Sequence, residues 1–186
     1  SLLTELGGVV FVKPAQEGSS IGMSRAENEA QLTDAIALAM QYDDAVLVEA
    51  FVDGPEFTVA ILAGNALPVI ELRTPRTFYD YKAKYQSNST EYLCPCDLDA
   101  QRTAEIQQLA QAAFVVVGAK DWGRVDVMLD QQGRFQLLEV NTVPGMTAKS
   151  LVPMAAKAAG IDLAQLLNEI LTSTLSGEQI AKEQVT

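Results

Sequence analysis

Apolar and polar positions alternate along two neighbouring stretches in the carboxyl-terminal half of the chain. The first stretch runs from Gly123 to Leu129 and the second from Phe135 to Asn141. The polar break between them, Asp130-Gln131-Gln132-Gly133, ends in glycine. Alternation on both sides of a short glycine-containing break is typical of an antiparallel β-hairpin. The pattern therefore predicts a hairpin here.

Pairing of Leu129 with Arg134 across the break would set the register of this hairpin. Asp126 would then lie opposite Leu137 and diagonal to Glu139, at roughly 7–8 Å between backbones. The residue numbers of opposed positions would add to an odd sum, which fixes the face that each residue occupies. One face is then predicted to carry a guanidinium, two carboxylates and an amide: Arg124, Asp126, Glu139 and Asn141.

Similar patterns predict the other elements. Short apolar runs predict four strands, at Val9–Val12, Ala45–Glu49, Phe57–Leu62 and Leu67–Leu72. Helices are expected after an Asn28 cap, over Ala100–Val117 and Ser150–Ala159, and from an Asp162 cap over Leu163–Leu175. Because strands are grouped around helices with hairpins and no regular βαβ units, the pattern predicts an α+β fold of two lobes.

Three charged residues stand at the ends of predicted strands. Lys13 precedes a Gly- and Ser-rich loop, 15–22, which is typical of a phosphate cradle or, equally, of a hairpin tip. Glu49 and Glu56 lie at the ends of two apolar strands, where carboxylates can accept hydrogen bonds from a ribose or an adenine amino group. A solvated turn is the alternative interpretation for both acids.

The segment 74–92 has no clear period and is rich in Tyr, Lys and Ser. A loop this long in a compact domain is usually a functional lid or is disordered. The density of aromatic residues favours an ordered lid, with Tyr79, Tyr81 and Tyr85 beside Lys82 and Lys84.

Composition narrows the classes of function. A formal charge of −11 on 186 residues argues against a nucleic-acid partner, which would need a basic surface. The longest uninterrupted apolar run, Ala112–Val117, is far shorter than the ~20 residues that a membrane helix needs. Cys94 and Cys96 are too close for an ordinary disulfide. We therefore expect reduced thiols and a cytoplasmic protein.

The chain contains no histidine, so its chemistry must depend on carboxylates, hydroxyls, Lys, Arg and bound metal. The predicted hairpin face offers only oxygen ligands, which favours a hard cation, Mg²⁺ or Mn²⁺, at Asp126, Glu139 and Asn141. Arg124 is suited to an oxyanion or a phosphoryl oxygen. Backbone amides at Gly145 can approach a ligand at the end of the second strand. A solvated hairpin face with one salt bridge remains the alternative.

Five segments together resemble a known family, the ATP-grasp ligases, and in particular the carboxyl-terminal two-thirds of the D-alanine–D-alanine ligases. They are FVKPAQEGSSIGMS at 11–24, GPEFTVAIL at 54–62, TFYDYKAKY at 77–85, WGRVDVMLD at 122–130 and LLEVNTVPGMT at 138–147. The segments follow the family's order over almost the whole chain. Five segments with compatible spacing are specific, whereas any one alone would be weak.

The resemblance implies an ATP-grasp fold of two antiparallel lobes with the nucleotide between them. The lobes are expected at 1–62 and 63–177, with the lid at about 74–92 and a polar tail at 178–186. The implied activity joins two D-alanines through an acyl-phosphate, with ATP and two Mg²⁺ or Mn²⁺ ions, in peptidoglycan synthesis for the cell wall. The full-length protein is expected to be a homodimer, with no nucleic-acid or membrane partner.

The resemblance also implies a role for each matching residue. Lys13 and Lys84 would contact the phosphates, and Ser20 would lie in the loop that closes over them. Glu49 and the backbone from Ala50 to Val52 would bind adenine, and Glu56 the ribose. Ser19 and Tyr85 would position the first D-alanine, while Ser150 and Leu151 would bind the carboxylate of the second. Arg124 and the Gly145 amide would stabilise the oxyanion, and the two ions would be held by Asp126, Glu139 and Asn141.

Some positions depart from the family pattern. Ala50, Phe51 and Val52 stand where Lys, Trp and Leu are frequent, and Lys149 where His is frequent. The family's amino-terminal domain is missing before Ser1, so negligible dipeptide synthesis by these residues alone is expected. Two alternatives follow: a Mg·ATP-binding fragment without turnover, and a related ligase that makes D-Ala-D-lactate or D-Ala-D-Ser. Tyr85 favours the dipeptide, because relatives with Phe there tend toward the ester.

Overall fold

The computed structural model describes residues 1–18, 20–73 and 90–183, with side chains described as far as residue 175. The described residues divide into two compact units, one formed by residues 1–18, 20–52 and 90 and the other by residues 53–73 and 91–183. The described helices are α1 Leu2–Glu5, α2 Glu29–Ala39, α3 Ala100–Val116, α4 Leu151–Ala158 and α5 Leu163–Glu183. The described strands are β1 Val10–Pro14, β2 Ser24–Ala26, β3 Val46–Ala50, β4 Glu56–Leu62, β5 Asn65–Ala66, β6 Ile70–Arg73, β7 Glu91–Leu93, β8 Trp122–Leu129 and β9 Phe135–Asn141.

The first unit contains a three-stranded antiparallel sheet in the order β2-β1-β3. Alternate residues of β1, Val10 and Val12, are fully buried in a core that also contains Leu32 and Ala35 of α2. The helix begins as predicted, because the Asn28 side chain accepts a hydrogen bond from the backbone N–H of Gln31 at 3.0 Å. Since strand side chains alternate, β1 presents its other residues to the opposite face of the sheet.

The second unit contains a six-stranded sheet in the order β7-β6-β4-β8-β9, with β5 paired to β4. One face of β4 and β8 packs against α3, and the buried side chains are Phe57, Val59, Ile61, Ile106, Ala110, Phe114, Val125 and Val127. The opposite face of β8 is therefore left to carry polar residues. Antiparallel sheets flanked by helices confirm the predicted α+β class.

The predicted boundary between the lobes differs from the observed one. The prediction places the strand at 57–62 in the first lobe, but β4 pairs with β8 along its whole length, from Glu56 opposite Met128 to Leu62 opposite Trp122. The observed boundary lies at 52/53. The sequence could not show this, because a buried apolar strand fits either sheet until its partners are known.

The bounds of two other elements differ from the predicted bounds. The predicted end of the last helix at Leu175 is wrong, because α5 passes through Gly177 and continues to Glu183. An isolated glycine costs a helix only about 1 kcal/mol relative to alanine, and good helix formers follow it. The strand predicted over 67–72 begins instead at Ile70, since Pro68 has no N–H to donate to a sheet. Asp162 caps α5 as predicted, and accepts from the Gln165 N–H at 2.8 Å.

The predicted hairpin exists as β8 and β9, but its predicted register is wrong. Leu129 pairs with Phe135 and not with Arg134. The Asp130 N–H donates to the Arg134 carbonyl at 2.9 Å, which closes a three-residue turn with Gly133 at φ +75°. A turn of this length with a left-handed final residue is common in hairpins, and it moves the pairing by one residue.

A β-bulge then moves the register a second time. Val127 pairs with Leu137, but Asp126 pairs with Glu139, so Leu138 has no opposite residue. The turn alone would place Glu139 on the face opposite to Asp126, and the bulge returns it. The predicted shared face is therefore confirmed, although Asp126 lies directly opposite Glu139 and not diagonal to it.

Within the part of the chain that the structure describes, no helix combines the length and apolar character needed to cross a membrane.

Candidate functional site

Two cross-strand rows of side chains lie on the polar face of β4, β8 and β9. The first row is Thr58, Asp126 and Glu139, and the second is Ala60, Arg124 and Asn141. Ala60 is the apolar member of the second row and is buried. We call these two rows the hairpin face. Its charged groups are neighbours because the strands, and not flexible loops, carry them.

Asp126 is the centre of the hairpin face. Only 5% of this residue is exposed. Its Oδ1 accepts from Thr58 Oγ1 at 2.6 Å and from Arg124 Nε at 2.8 Å. Its Oδ2 accepts from Arg124 Nη2 at 2.7 Å and from Asn141 Nδ2 at 3.2 Å. A buried carboxylate requires such compensation, and the two-pronged guanidinium supplies both charge and direction.

Glu139 is the more accessible carboxylate, with 42% of its side chain exposed. Its Oε1 accepts from Asn141 Nδ2 at 3.2 Å and lies 4.0 Å from Arg124 Nη2. The two carboxylates thus converge on one amide nitrogen. Two negative charges held this close favour a donor or a cation between them. Hard cations such as Mg²⁺ take carboxylate and amide oxygens, so the chemistry of this donor set suits them.

The chain after β9 turns back toward α4. The Ser150 hydroxyl accepts from the Thr147 N–H at 3.0 Å and lies 2.9 Å from the Thr147 hydroxyl. A Cβ added at Gly145 would lie 3.1 Å from Ser150 Oγ, so the two predicted site residues are close together. Leu151 is the first residue of α4, where backbone N–H groups are not used within the helix. This turn can therefore offer donors to an anionic ligand.

In the first unit, Lys13 and Glu49 form an ion pair, with 2.7 Å between Nζ and Oε2. They lie on neighbouring strands, where Lys13 is opposite Leu47 and Phe11 is opposite Glu49. Ala50 ends β3, and Val52 lies two residues further along the chain. Ser20 has φ +61°, an uncommon backbone conformation for a residue other than glycine.

Three other predicted site residues, Ser19, Lys84 and Tyr85, lie outside the described residues, as does the predicted lid from 74 to 89. The predicted carboxyl end of that lid is wrong, because Glu91 and Tyr92 belong to β7, with Tyr92 opposite Leu72. Glu56 begins β4 and is half-buried.

Sequence reasoning missed Thr58. It is 1% exposed and donates to Asp126. The available signal was a hydroxyl in a strand whose neighbours are apolar, since a buried polar group requires a partner. Among the described residues, no cluster of three or more His, Cys, Asp or Glu could hold a metal. The hairpin face reaches three ligands only by including the Asn141 amide.

Comparison with known proteins assigns the chain to a family. Residues 2–172 match the family model described as D-ala D-ala ligase C-terminus. The chain belongs to the D-alanine–D-alanine ligase family. This confirms the resemblance that the five sequence segments carried, and the ATP-grasp fold that it implied.

Curated relatives in this family are longer than the chain. It is 60% identical to a D-alanine–D-alanine ligase of Alcanivorax borkumensis over 92% of the chain and 56% of that protein. It is 58% identical to the ligase of Saccharophagus degradans, over 94% of the chain and 56% of that protein. The chain therefore spans a little over half the length of these relatives.

Solved ligases share the fold. The D-alanine–D-alanine ligase of Bacillus anthracis superposes with a TM-score of 0.83 and 33% identity, over 98% of this chain and 59% of that one. The same enzyme complexed with ATP gives a TM-score of 0.81 and 29% identity, over 98% of this chain and 56% of that one. The VanG D-Ala:D-Ser ligase of Enterococcus faecalis gives 0.76 and 31%, over 88% and 48%.

Proposed function

We propose that this chain is the ATP- and metal-binding part of a ligase that joins two D-alanines into D-alanyl-D-alanine at the expense of ATP. The observation that carries the proposal is the hairpin face, where a buried Asp126 carboxylate meets Glu139 and Asn141. It occurs in a chain whose relatives bear the name of this enzyme.

In this proposal Asp126, Glu139 and Asn141 hold two Mg²⁺ or Mn²⁺ ions. The donor set fits, because the Asn141 side chain already bridges both carboxylates through its amide nitrogen. Rotation of that amide would present an oxygen in place of the nitrogen. When bound, the ions would neutralise negative charge on the ATP phosphates and on the transferred phosphoryl group.

Residues of the first unit are proposed to bind the nucleotide. Lys13 would contact the phosphates, and in this structure its ammonium group pairs with the Glu49 carboxylate. The Glu49 side chain is 45% exposed, so solvent screens the ion pair. The pair is therefore weak enough to rearrange. Glu49 and the backbone from Ala50 to Val52 would then accept adenine. Lys84 would also contact the phosphates, Ser20 would lie in the loop that closes over them, and Glu56 would bind the ribose.

The reaction would proceed in two steps. The carboxylate of the first D-alanine attacks the γ-phosphorus of ATP, which forms an acyl-phosphate and releases ADP. The amine of the second D-alanine then attacks the acyl carbon and loses a proton, and phosphate leaves. Arg124 would stabilise the oxyanion, because its bidentate contact with Asp126 fixes the guanidinium.

The remaining substrate contacts are also proposals. The Gly145 amide would donate to the same oxyanion as Arg124. Ser150 and the backbone at Leu151 would bind the carboxylate of the second D-alanine. Ser19 and Tyr85 would position the first. The expectations of a homodimer, of a cytoplasmic location and of a role in peptidoglycan synthesis stay predictions.

Calorimetric titration with Mg·ATP tests the binding half of this proposal. We expect Glu139→Gln to weaken Mg²⁺-dependent nucleotide binding strongly, because a metal-bridging carboxylate is lost. Glu105→Gln is the matched control, since Glu105 pairs with Arg102 on the surface of α3. Equal affinity for ATP in wild type and Glu139→Gln, with and without Mg²⁺, would contradict the metal assignment.

Phosphate release that depends on D-alanine tests the catalytic half. A nucleotide-binding part without turnover is the second candidate, favoured by the 56% coverage of the relatives. We expect ATP binding without dipeptide synthesis by the 186-residue chain, and restored synthesis after the relatives' amino-terminal domain is added. Supplying D-serine or D-lactate as the second substrate distinguishes the related ligases.

A further inference from the structure

Thr58 lies in the middle of β4, between β6 and β8. Thr58 and Asp126 are the buried polar residues of the described part of the chain, at 1% and 5% exposure. Thr58 Oγ1 is 2.6 Å from Asp126 Oδ1 and 3.4 Å from the Val125 carbonyl oxygen. The shorter distance, and the charge of its acceptor, assign the hydroxyl proton to the carboxylate.

The two oxygens of Asp126 differ in how firmly they are held. Oδ1 receives the Thr58 hydroxyl and Arg124 Nε, at 2.6 and 2.8 Å. Oδ2 receives Arg124 Nη2 at 2.7 Å and Asn141 Nδ2 at 3.2 Å. Among these contacts the Asn141 contact is the longest, and it disappears if the amide rotates. Oδ2 is therefore the oxygen at which a cation can replace a donor.

We infer that Thr58 is a positioning residue that holds the Asp126 carboxylate so that Oδ2 is presented to the metal. This inference rests on the proposed function. Thr58 acts through Asp126, and the residue itself is not a metal ligand. Arg124 contacts both oxygens and therefore fixes the plane of the carboxylate, while the hydroxyl engages Oδ1 alone. The hydroxyl thus distinguishes one oxygen from the other.

The identity of the residue suits this role. Threonine is branched at Cβ, so its χ1 angle is restricted. The strand that carries it is paired on both sides, with Thr58 opposite Ile70 and opposite Asp126. Mg²⁺ demands near-ideal octahedral geometry, so a carboxylate that rotates costs affinity. Partners of metal-ligating carboxylates typically contribute 10–100-fold to metal affinity.

The test compares Thr58→Val, which keeps the shape and removes the hydroxyl, with Thr58→Ser, which keeps the hydroxyl. Mn²⁺ is titrated into the chain at saturating ATP, and free Mn²⁺ is measured by electron paramagnetic resonance. ATP affinity in EDTA and the urea midpoint are measured on the same samples. Thr103→Val is the matched control, because this part-buried threonine donates to the Leu98 carbonyl at 3.3 Å in another part of the second unit.

We expect Thr58→Val to weaken Mn²⁺ binding about 10–100-fold, with ATP affinity in EDTA unchanged. Thr58→Ser should restore binding to nearly the wild-type value, and Thr103→Val should leave it unchanged. Wild-type Mn²⁺ affinity in a folded Thr58→Val chain would overturn the inference while leaving the proposed function intact. If wild type itself binds no Mn²⁺ with ATP, the proposed function fails and the inference fails with it.

The folding of the variants supplies a further readout. If Thr58→Val does not fold, Thr58→Ala takes its place beside Thr58→Ser. If only variants with a hydroxyl fold, the hydroxyl serves the stability of the sheet, and the inference of a positioning role is overturned.

Discussion

Each unit contains one of two ion pairs that differ in burial and in the contacts around them. Arg124 and Asp126 have side chains only 16% and 7% exposed, and the carboxylate also contacts Thr58 and Asn141. Lys13 and Glu49 are 21% and 45% exposed, and their contact is 2.7 Å between Nζ and Oε2. The first pair is fixed by its neighbours, whereas the second can exchange its partner.

Position in the sheet explains the difference. Asp126 lies on β8, which has neighbours on both sides, whereas Glu49 lies on β3, an edge strand of its sheet. Arginine also binds a carboxylate with two donors in a rigid fork, while lysine is a point charge on a flexible stem. The comparison indicates that the hairpin face is preorganised, and that the Lys13 ion pair can rearrange.

The largest effect is expected from Arg124→Met. The substitution leaves the Asp126 carboxylate buried without its compensating charge, which costs about 3–5 kcal/mol in the free energy of unfolding. Urea unfolding measures this change. In the double variant Arg124→Met/Asp126→Asn the loss should be much smaller, since no buried charge remains. An Arg124→Met chain as stable as wild type would remove the basis of the comparison.

A smaller loss is expected from Gly123→Ala, at the start of the hairpin. An added Cβ would lie 2.5 Å from Phe114 Cε2 and 2.7 Å from the Asn141 carbonyl oxygen. Forcing a methyl group into such a packed site costs about 1–3 kcal/mol. Gly18→Ala is the control in the first unit, because a Cβ added there would have no neighbouring atom within 4 Å. Thermal unfolding of both variants would show whether the hairpin is the tighter of the two regions.

We expect Asp130, in the hairpin turn, to contribute to the loss of stability in acid. The N–H of Arg134 is the main cause that lowers the pKa of Asp130 from 3.8 to about 2, with further help from the Gln136 and Arg134 side chains. Because the folded pKa is the lower one, Asp130 stabilises the fold above pH about 4. This contribution is lost as the pH falls through about 2. Asp130→Asn should flatten the urea midpoint over this window.

A loop of the first unit provides a comparison for that experiment. The backbone N–H groups of Ala45 and Gln16 also lower the pKa of Asp43. The partners of Asp43 lie in the first unit, whereas those of Asp130 lie in the hairpin turn. Asp43→Asn should therefore leave the Asp130 contribution in place. An Asp130→Asn chain that keeps the full acid dependence between pH about 4 and 2 would assign the effect to other carboxylates.

The smallest effect on stability is expected from Lys13→Met. An exposed ion pair contributes about 0–1 kcal/mol, so the free energy of unfolding should hardly change. Affinity for ATP should fall, because a phosphate contact is proposed there. Denaturant unfolding and calorimetry separate the two results. A loss of stability as large as that of Arg124→Met would show that Lys13 is a structural residue.

Local chemistry determined much of the fold from the sequence alone. Asn28 and Asp162 cap their helices as predicted, because the preference of their side chains for the helix start needs no tertiary partner. The hairpin followed from alternation and a glycine-containing break. The common face of Asp126 and Glu139 was also predicted, although the register behind that prediction was wrong.

Only the tertiary structure decided the register and the partners. The turn and the bulge at Leu138 each move the pairing by one residue, and their sum returns Glu139 to the face of Asp126. The alternation within β9 does not reveal which residue of β8 lies opposite each position, because a side-chain period of two records the face and not the partner. The partner of Thr58 could not be predicted from the sequence either. A buried hydroxyl needs a partner, and the strand that supplies it lies 68 positions further along the chain.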